Sequence, residues 1–408
     1  MLVYGDRQRH EDGYEHGHGS VHGHGKRVGA AVLLAAALIA GTVPVAGAAV
    51  PGARTGADAA PGTATRSSDP VQRQLDLLVG IDGVPGALAH DGRRTRTAGV
   101  ADRESGRPMV GARGRVRLAS NTKAFTATAV MRLVVDGRIR LDDRVGRYVP
   151  LLAGSTITVR QLLKQTSGLP EYTALVDWTR PGTPEDYLAL ALAAEPVFAP
   201  GTDWGYSNTN YLVLGMVIDE AAGVDFRTYV ERTILRPLRL DDTYWPAPGE
   251  LTLRGPHARN YGVHPAAPEA GRVDVTDLPG YEFGASGGLV STPADLNAFW
   301  DGLFGGRLLP DRALRTMTGD STAVGGRDVY PAGSRYGYGI ASVPLSCGGV
   351  YWGHGGDLPG NSVGGGRATA GRGTVTVYTT TWAGEGPSLR RLQKAVDVSL
   401  CAKPHQRS

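Results

Sequence analysis

The apolar periodicity of this 408-residue chain changes twice along its length, and that layout restricts what it can fold into. Near the start, "GALAHDG" and "RTRTAGVAD" read as two strands joined by a Gly-Arg turn, with His90-Asp91-Gly92 as the bend. Near the end, "RYGYGIASV", "GGVYWGH" and "GTVTVYTTTW" alternate again, with Val375, Val377 and Thr379 on one face. Between about residues 140 and 300 the spacing is instead three and four, as in "TVRQLLKQTSGL", "TPEDYLALALA", "NTNYLVLGMVIDEAAG" and "DFRTYVERTIL". "STPADLNAFWDGLF" adds a helix start, with Ser291 or Thr292 as cap and Pro293 in the first turn. Strands at both ends around a helical middle imply one sheet assembled from the two termini. The expectation is therefore an α/β (α+β) chain: a mixed antiparallel sheet with flanking helices, "PVQRQLDLLVG" and "SLRRLQKAVDVSLC" among them, and an inserted all-helical part. The sheet part would take about 70–118 and 305–405, and the helical part about 119–304.

The first fifty residues have a different character. Lys26-Arg27 precede an uncharged run, "VGAAVLLAAALIAGTVPVAGAAV", ending in small residues around Ala46-Gly47-Ala48. A positive flank, an apolar core and an A-x-A-like site are the parts of a secretory signal, so residues 1–48 read as a signal peptide with a leader. Pro44 and the small-residue tail favour cleavage over a retained membrane anchor. The leader holds His10, His16, His18, His22 and His24, half of all the histidines, a pattern that would also suit a metal if it stayed with the mature chain. Residues 49–69, rich in Pro, Ala, Gly, Ser and Thr, read as a disordered linker. The expected location is extracytoplasmic. There an even pair of cysteines is more often a disulfide than two thiols, which joins Cys347 to Cys401 across 54 positions. A net formal charge of +4 with no clustered basic run gives no case for nucleic acid.

"RLASNTKAFTATAVMRLVVDG", Arg117 to Gly137, places Ser120 three residues before Lys123 at the entrance of a helix apolar on all sides. Positions i and i+3 share a helix face, and the helix N-terminus favours developing negative charge. Lysine can give up its proton when desolvated; arginine effectively cannot. Lysines number five in a chain that otherwise writes its positive charge as arginine. "GYSNTNY" supplies a second candidate, Tyr206 with Asn208: either a phenol held near an ammonium as a base, or a tyrosine capping the helix that follows. "YWGHGGDLPG" supplies a third, with His354 before a glycine pair where backbone can approach a ligand.

In order, Ser120/Lys123, Tyr206/Asn208 and His354/Gly356 resemble the Ser-x-x-Lys, Tyr-x-Asn and His-x-Gly motifs of the serine β-lactamase and penicillin-binding family, in its class C and D-alanyl-D-alanine carboxypeptidase branch. The likeness extends over nearly all of 70–405, through "TVRQLLKQTSGLPEY", "FAPGTDWGYSN" and "GASGGLVSTPADL". It implies that Ser120 attacks and forms an acyl-enzyme, that Lys123 and Tyr206 handle its proton and the leaving amine's, and that Asn208 positions substrate and lysine. It also implies an oxyanion site between the backbone N–H groups of Ser120 and Asp357, and no metal or other cofactor. The implied partner is a peptidoglycan stem peptide or a β-lactam, met by a monomer. Departures concern the substrate. Hydroxyl residues that grip a terminal carboxylate in the carboxypeptidases are replaced by Gly355 and Asp357, and their strand arginine by Ala341, with Arg335 close by. The resemblance thus implies a carboxypeptidase-like penicillin-binding protein, with a class C-like β-lactamase, a small-ester or D-amino-acid amide hydrolase, and a non-catalytic wall-binding relative as alternatives.

Overall fold

The computed structural model describes residues 67–176, 182–280, 283–327, 329–371, 373–384 and 386–402, so the leader, the signal and nearly all of the linker lie outside the described residues. Among the described residues no helix is long and apolar enough to cross a membrane. Within the described residues thirteen strands follow in chain order: β1 Gly86–His90, β2 Thr95–Gly99, β3 Val116–Arg117, β4 Tyr261–Val263, β5 Arg272–Asp274, β6 Val290–Ser291, β7 Thr322–Ala323, β8 Arg335–Tyr336, β9 Ala341–Pro344, β10 Val350–Gly353, β11 Gly356–Leu358, β12 Asn361–Ala368 and β13 Thr374–Thr379. The helices are α1 Pro70–Gly80, α2 Thr122–Val135, α3 Val159–Leu163, α4 Pro184–Leu192, α5 Asn208–Ala222, α6 Phe226–Val230, α7 Arg236–Leu238, α8 Gly284–Gly287, α9 Pro293–Phe304, α10 Asp311–Gly319 and α11 Pro387–Cys401.

The main sheet runs β2-β1-β13-β12-β10-β9-β8-β7, with β11 paired to β12. Its pairings are antiparallel. The seam between the two ends of the chain is β1 on β13, Ala87 facing Thr379 and His90 facing Thr376. The expected bend closes β1 onto β2: Asp91 Oδ1 accepts the N–H groups of Arg93 and Arg94 at 3.0 and 2.8 Å, and Gly92 takes φ +84°.

Period-two alternation then sorts the side chains by face. Ala87, Ala89, Val375 and Val377 point to one layer, where α1 and α11 cover them with Leu75, Leu78, Leu392 and Val396. Leu88, Val363 and Tyr378 point to the other, a larger core shared with α2, α5 and α9. There Phe125 of α2 stacks on Phe299 of α9 with ring centroids 3.7 Å apart. Both faces of β13 are therefore buried along its length.

The structure departs from the sequence reading in three places. "RYGYGIASV" is two strands, β8 and β9, because Gly337-Tyr338-Gly339 turns the chain between them. β12, "NSVGGGRA", carries three glycines, a composition depleted in strands, and went unread. Gly365 and Gly366 have φ of +145° and +154°, and a Cβ on either would strike the backbone of β13 or β10. They are glycines so that neighbouring strands can close on them. The helical middle also contains the short pair β4–β5 and the strand β6, which pairs with β3 at the edge of that region. The β3–β6 pair holds the Ser120 turn.

Candidate active site

Ser120 lies in a tight turn, Ala119–Asn121, between β3 and α2. β3 pairs with β6, Leu118 N–H donates to the Leu289 carbonyl at 2.9 Å, and Asn361 Nδ2 donates to the Arg117 carbonyl at 3.1 Å. Asn121 Nδ2 donates to the Val363 carbonyl at 3.1 Å. Held from these sides, Ala119 sits at φ +47°, a left-handed conformation that a non-glycine residue adopts only under constraint. Gly356 on β11 packs directly against this turn, and a Cβ there would collide with the Leu118 carbonyl and come within 3.0 Å of Ser120 N. Glycine is what lets β11 approach the serine.

Lys123 is fully buried one turn into α2. Its Nζ lies 3.0 Å from Ser120 Oγ, 2.6 Å from Asn208 Oδ1 and 2.8 Å from the Ser286 carbonyl of α8. Burial disfavours the ammonium and brings its pKa down from 10.5 to about 7, against a smaller opposing pull from the Glu171 carboxylate. Two of these three neighbours are carbonyl oxygens, which accept but cannot donate, whereas the Ser120 hydroxyl has a proton to give. A neutral Lys123 can therefore accept the Ser120 hydroxyl proton on its lone pair.

Asn208 is oriented by a residue that sequence reasoning passed over. Glu171 Oε2 accepts from Asn208 N at 2.6 Å and from Nδ2 at 3.1 Å, while Oε1 accepts from Thr173 N at 2.8 Å. A carboxylate takes only donors, so the amide nitrogen faces Glu171 and Oδ1 faces Lys123. Ser207, with its Oγ accepting from Thr209 N at 3.3 Å, caps α5, so the capping alternative for Tyr206 falls away. The half-buried Tyr206 ring instead has its centroid 5.0 Å from Lys123 Nζ. Gln165, at φ +62° and fully buried, accepts from Ser207 N at 3.1 Å and so fixes the segment that carries Tyr206 and Asn208.

His354 is brought near the cluster but behind it. The ring is buried, its centroid 6.1 Å from that of Tyr206, and Nε2 meets Tyr336 Oη at 3.1 Å. Burial, and secondarily the charge of Lys123, lowers its pKa to about 3, so the imidazole is neutral. Asp357 is exposed, with one carboxylate oxygen accepting from Ser362 Oγ. It borders a cavity of about 180 Å³ together with Ser120, Asn208, Ser286, Leu358 and Pro359. Ala341 is buried on β9 opposite Gly353, and Arg335 is turned toward Ser321, Nε to Oγ at 2.9 Å. Neither borders that cavity. Cys347 and Cys401 are brought to disulfide distance, with Cα atoms 5.7 Å apart. Among the described residues, no group of three or more His, Cys, Asp or Glu side chains is gathered as metal ligands would be.

Comparison with known proteins places the fold in a family. The β-lactamase family model matches residues 71–399. A D-stereospecific amidohydrolase from Streptomyces sp. superposes with a TM-score of 0.71 at 35% identity, over 82% of this chain and 99% of that one. The D-amino acid amidase from Ochrobactrum anthropi SV3, complexed with L-phenylalanine amide, gives 0.71 at 27% identity, over 82% and 97%. Penicillin-binding protein 4* of Bacillus subtilis (strain 168) is 30% identical over 132 residues, 31% of this chain and 29% of its own length. Protein flp of Staphylococcus aureus (strain N315) is 29% identical over 195 residues, 44% of this chain and 39% of its own. The chain therefore matches well under half the length of these curated relatives. A family match across nearly the whole described fold, with a serine and a deprotonable lysine in contact at its centre, makes this chain a member of the β-lactamase family and a serine hydrolase of the β-lactamase and penicillin-binding superfamily.

Proposed function

We propose that the enzyme hydrolyses amides of D-amino acids through an acyl-enzyme on Ser120. The observation that carries the chemistry is the Lys123 environment: a buried amine with a pKa of about 7, in hydrogen-bond contact with the Ser120 hydroxyl. Ser120 Oγ attacks the substrate carbonyl carbon as its proton passes to Lys123 Nζ. The carbonyl oxygen gains negative charge and is met by the backbone N–H groups of Ser120 and Asp357. Lys123 and Tyr206 then deliver a proton to the leaving amine, the C–N bond breaks, and water releases the acid from Ser120. Asn208, its amide fixed by Glu171, keeps Lys123 aimed at the serine.

The substrate class follows from Asp357. An exposed carboxylate bordering the cavity repels a carboxylate placed beside the scissile bond, by about 1 kcal/mol if both stay solvated. A neutral amide, or a substrate with a free ammonium group, meets no such penalty. The likeness to an amidohydrolase and an amidase across almost their full lengths supports the same choice. The likeness to a penicillin-binding protein favours a second reading, a carboxypeptidase acting on peptidoglycan stem peptides outside the membrane. Lys26-Arg27 and the apolar run after them support export under either reading.

Steady-state kcat/KM on D-phenylalaninamide, L-phenylalaninamide and a peptide ending in D-alanyl-D-alanine separates the two. The expected order places the D-amide first by at least about tenfold. Faster turnover of the D-alanyl-D-alanine peptide would overturn the amidase reading and establish the second.

A further inference from the structure

A second cavity, of about 460 Å³, opens on the far side of the turn that follows β11. Asp357, Leu358 and Pro359 border both it and the cavity holding Ser120, so the two meet at that turn. The outer walls are the β4–β5 hairpin and the chain just past β13. Val263 and Arg272 are directly paired across the hairpin, which puts both side chains on one face. Trp382 stands on the other wall. Val263 is 50% exposed and Trp382 58%, two of the few large apolar side chains in the described fold that water reaches to this extent.

These walls are fixed by the fold. Tyr261 N donates to the Thr380 carbonyl at 2.9 Å, and Thr381 Oγ1 donates to the Tyr261 carbonyl at 2.7 Å. A Cβ on Gly262 would lie 2.6 Å from Gly360 N, so the hairpin is seated against the turn itself. Arg272 is exposed, and its Nη1 donates to the Gly83 carbonyl at 3.5 Å, the long limit of a hydrogen bond.

We infer that this outer cavity is a substrate subsite for an apolar or aromatic side chain followed by an anionic end, so that the natural substrate is a peptide-like amide longer than one amino acid. Trp382 and Val263 take the apolar group, and Arg272 the anion. Asp357 stands at the junction and belongs to both cavities, whereas Arg272 belongs only to the outer one. A carboxylate is thus disfavoured beside the scissile bond and favoured one or two residues beyond it. The inference rests on the D-aminoacyl amide reading for the inner cavity.

Calorimetric titration of the full-length Ser120→Ala variant reads the subsite without turnover. The probes are D-alaninamide, D-alanyl-glycyl-phenylalanine, its C-terminal amide, and N-succinyl-phenylalanyl-D-alaninamide. The second and fourth extend the same chemistry to the leaving-group and the acyl side, respectively. One of these two is expected to bind at least about tenfold tighter than D-alaninamide. Adding Trp382→Ala should abolish that gain. Arg272→Gln should reduce it for the free acid but not for the tripeptide amide, if the leaving-group side is the one used. Equal affinity of all four probes, or a gain that survives both substitutions, overturns the subsite. Turnover of D-alaninamide by the unmodified enzyme is measured in parallel: its absence defeats the amidase reading while the titration still judges the cavity.

Discussion

In the proposed mechanism Lys123 and Ser120 set the pH response of the reaction. The base must be neutral to accept the Ser120 proton, so kcat/KM should rise with pH through about 7, the point to which burial brings Lys123, and fall away below it. His354, held near 3 by burial and by the nearby Lys123 charge, is neutral across that range and should add no limb of its own. A pH–rate profile with its midpoint near 10 would show that burial does not lower the Lys123 pKa in the working enzyme. Lys123→Arg keeps a charge that cannot be shed and should lower kcat/KM by about 10²- to 10⁴-fold. Glu171→Gln removes the carboxylate that opposes the drop in the Lys123 pKa and that fixes the Asn208 amide. The acid limb should therefore move to lower pH while the plateau falls about tenfold, the usual cost of one charge-assisted hydrogen bond. An unmoved limb would show that Glu171 acts on Asn208 geometry alone.

Among the elements, β11 does most to shape the site, because three residues of strand bring Gly356 against the Ser120 turn and place Asp357 at the cavity. Gly356→Ala has no room for its methyl group and should displace β11 from the serine. A shift of about 1 Å there should cost about 10²-fold in kcat/KM. Stability should fall by only about 1–3 kcal/mol, as expected of one overpacked position. Thermal unfolding and kinetics on the same preparation check both, and activity within a few-fold of the unmodified enzyme would show that β11 is not pressed on the turn. β11 and β12 were also the elements hardest to read. Their glycines are chosen for close approach of chains that lie far off in sequence, and a propensity argument takes the same glycines as breakers.

For the molecule as a whole, α11 closes the fold over the face of the sheet opposite α2, and Cys401 at its end lies at disulfide distance from Cys347. Thiol labelling of the purified protein without reductant should find neither cysteine free; two labelled thiols would refute the bond. In the loop-entropy model a closure of this length contributes about 4 kcal/mol, so Cys401→Ala should lower Tm by about 10 °C. Activity at 25 °C should be kept, since α1 and α11 cover the other layer. Much of this architecture is local information. Period two at both ends and period three-four between them require a sheet sewn from the two termini, and Ser120-x-x-Lys123 on an all-apolar helix needs no partner to be noticed. Tyr206, Asn208 and Asp357 were legible as motif members, though their neighbours were not. Glu171 meets Asn208 from 37 residues away, the Ser286 carbonyl meets Lys123 from 163, and the Arg272 and Trp382 walls belong to segments more than a hundred residues apart. Sequence determined which residues are able to do chemistry, because that depends on side-chain type and short spacing. Only the folded chain decided which of them are desolvated, aimed and paired, because burial and hydrogen-bond geometry are set by what the rest of the chain packs against them.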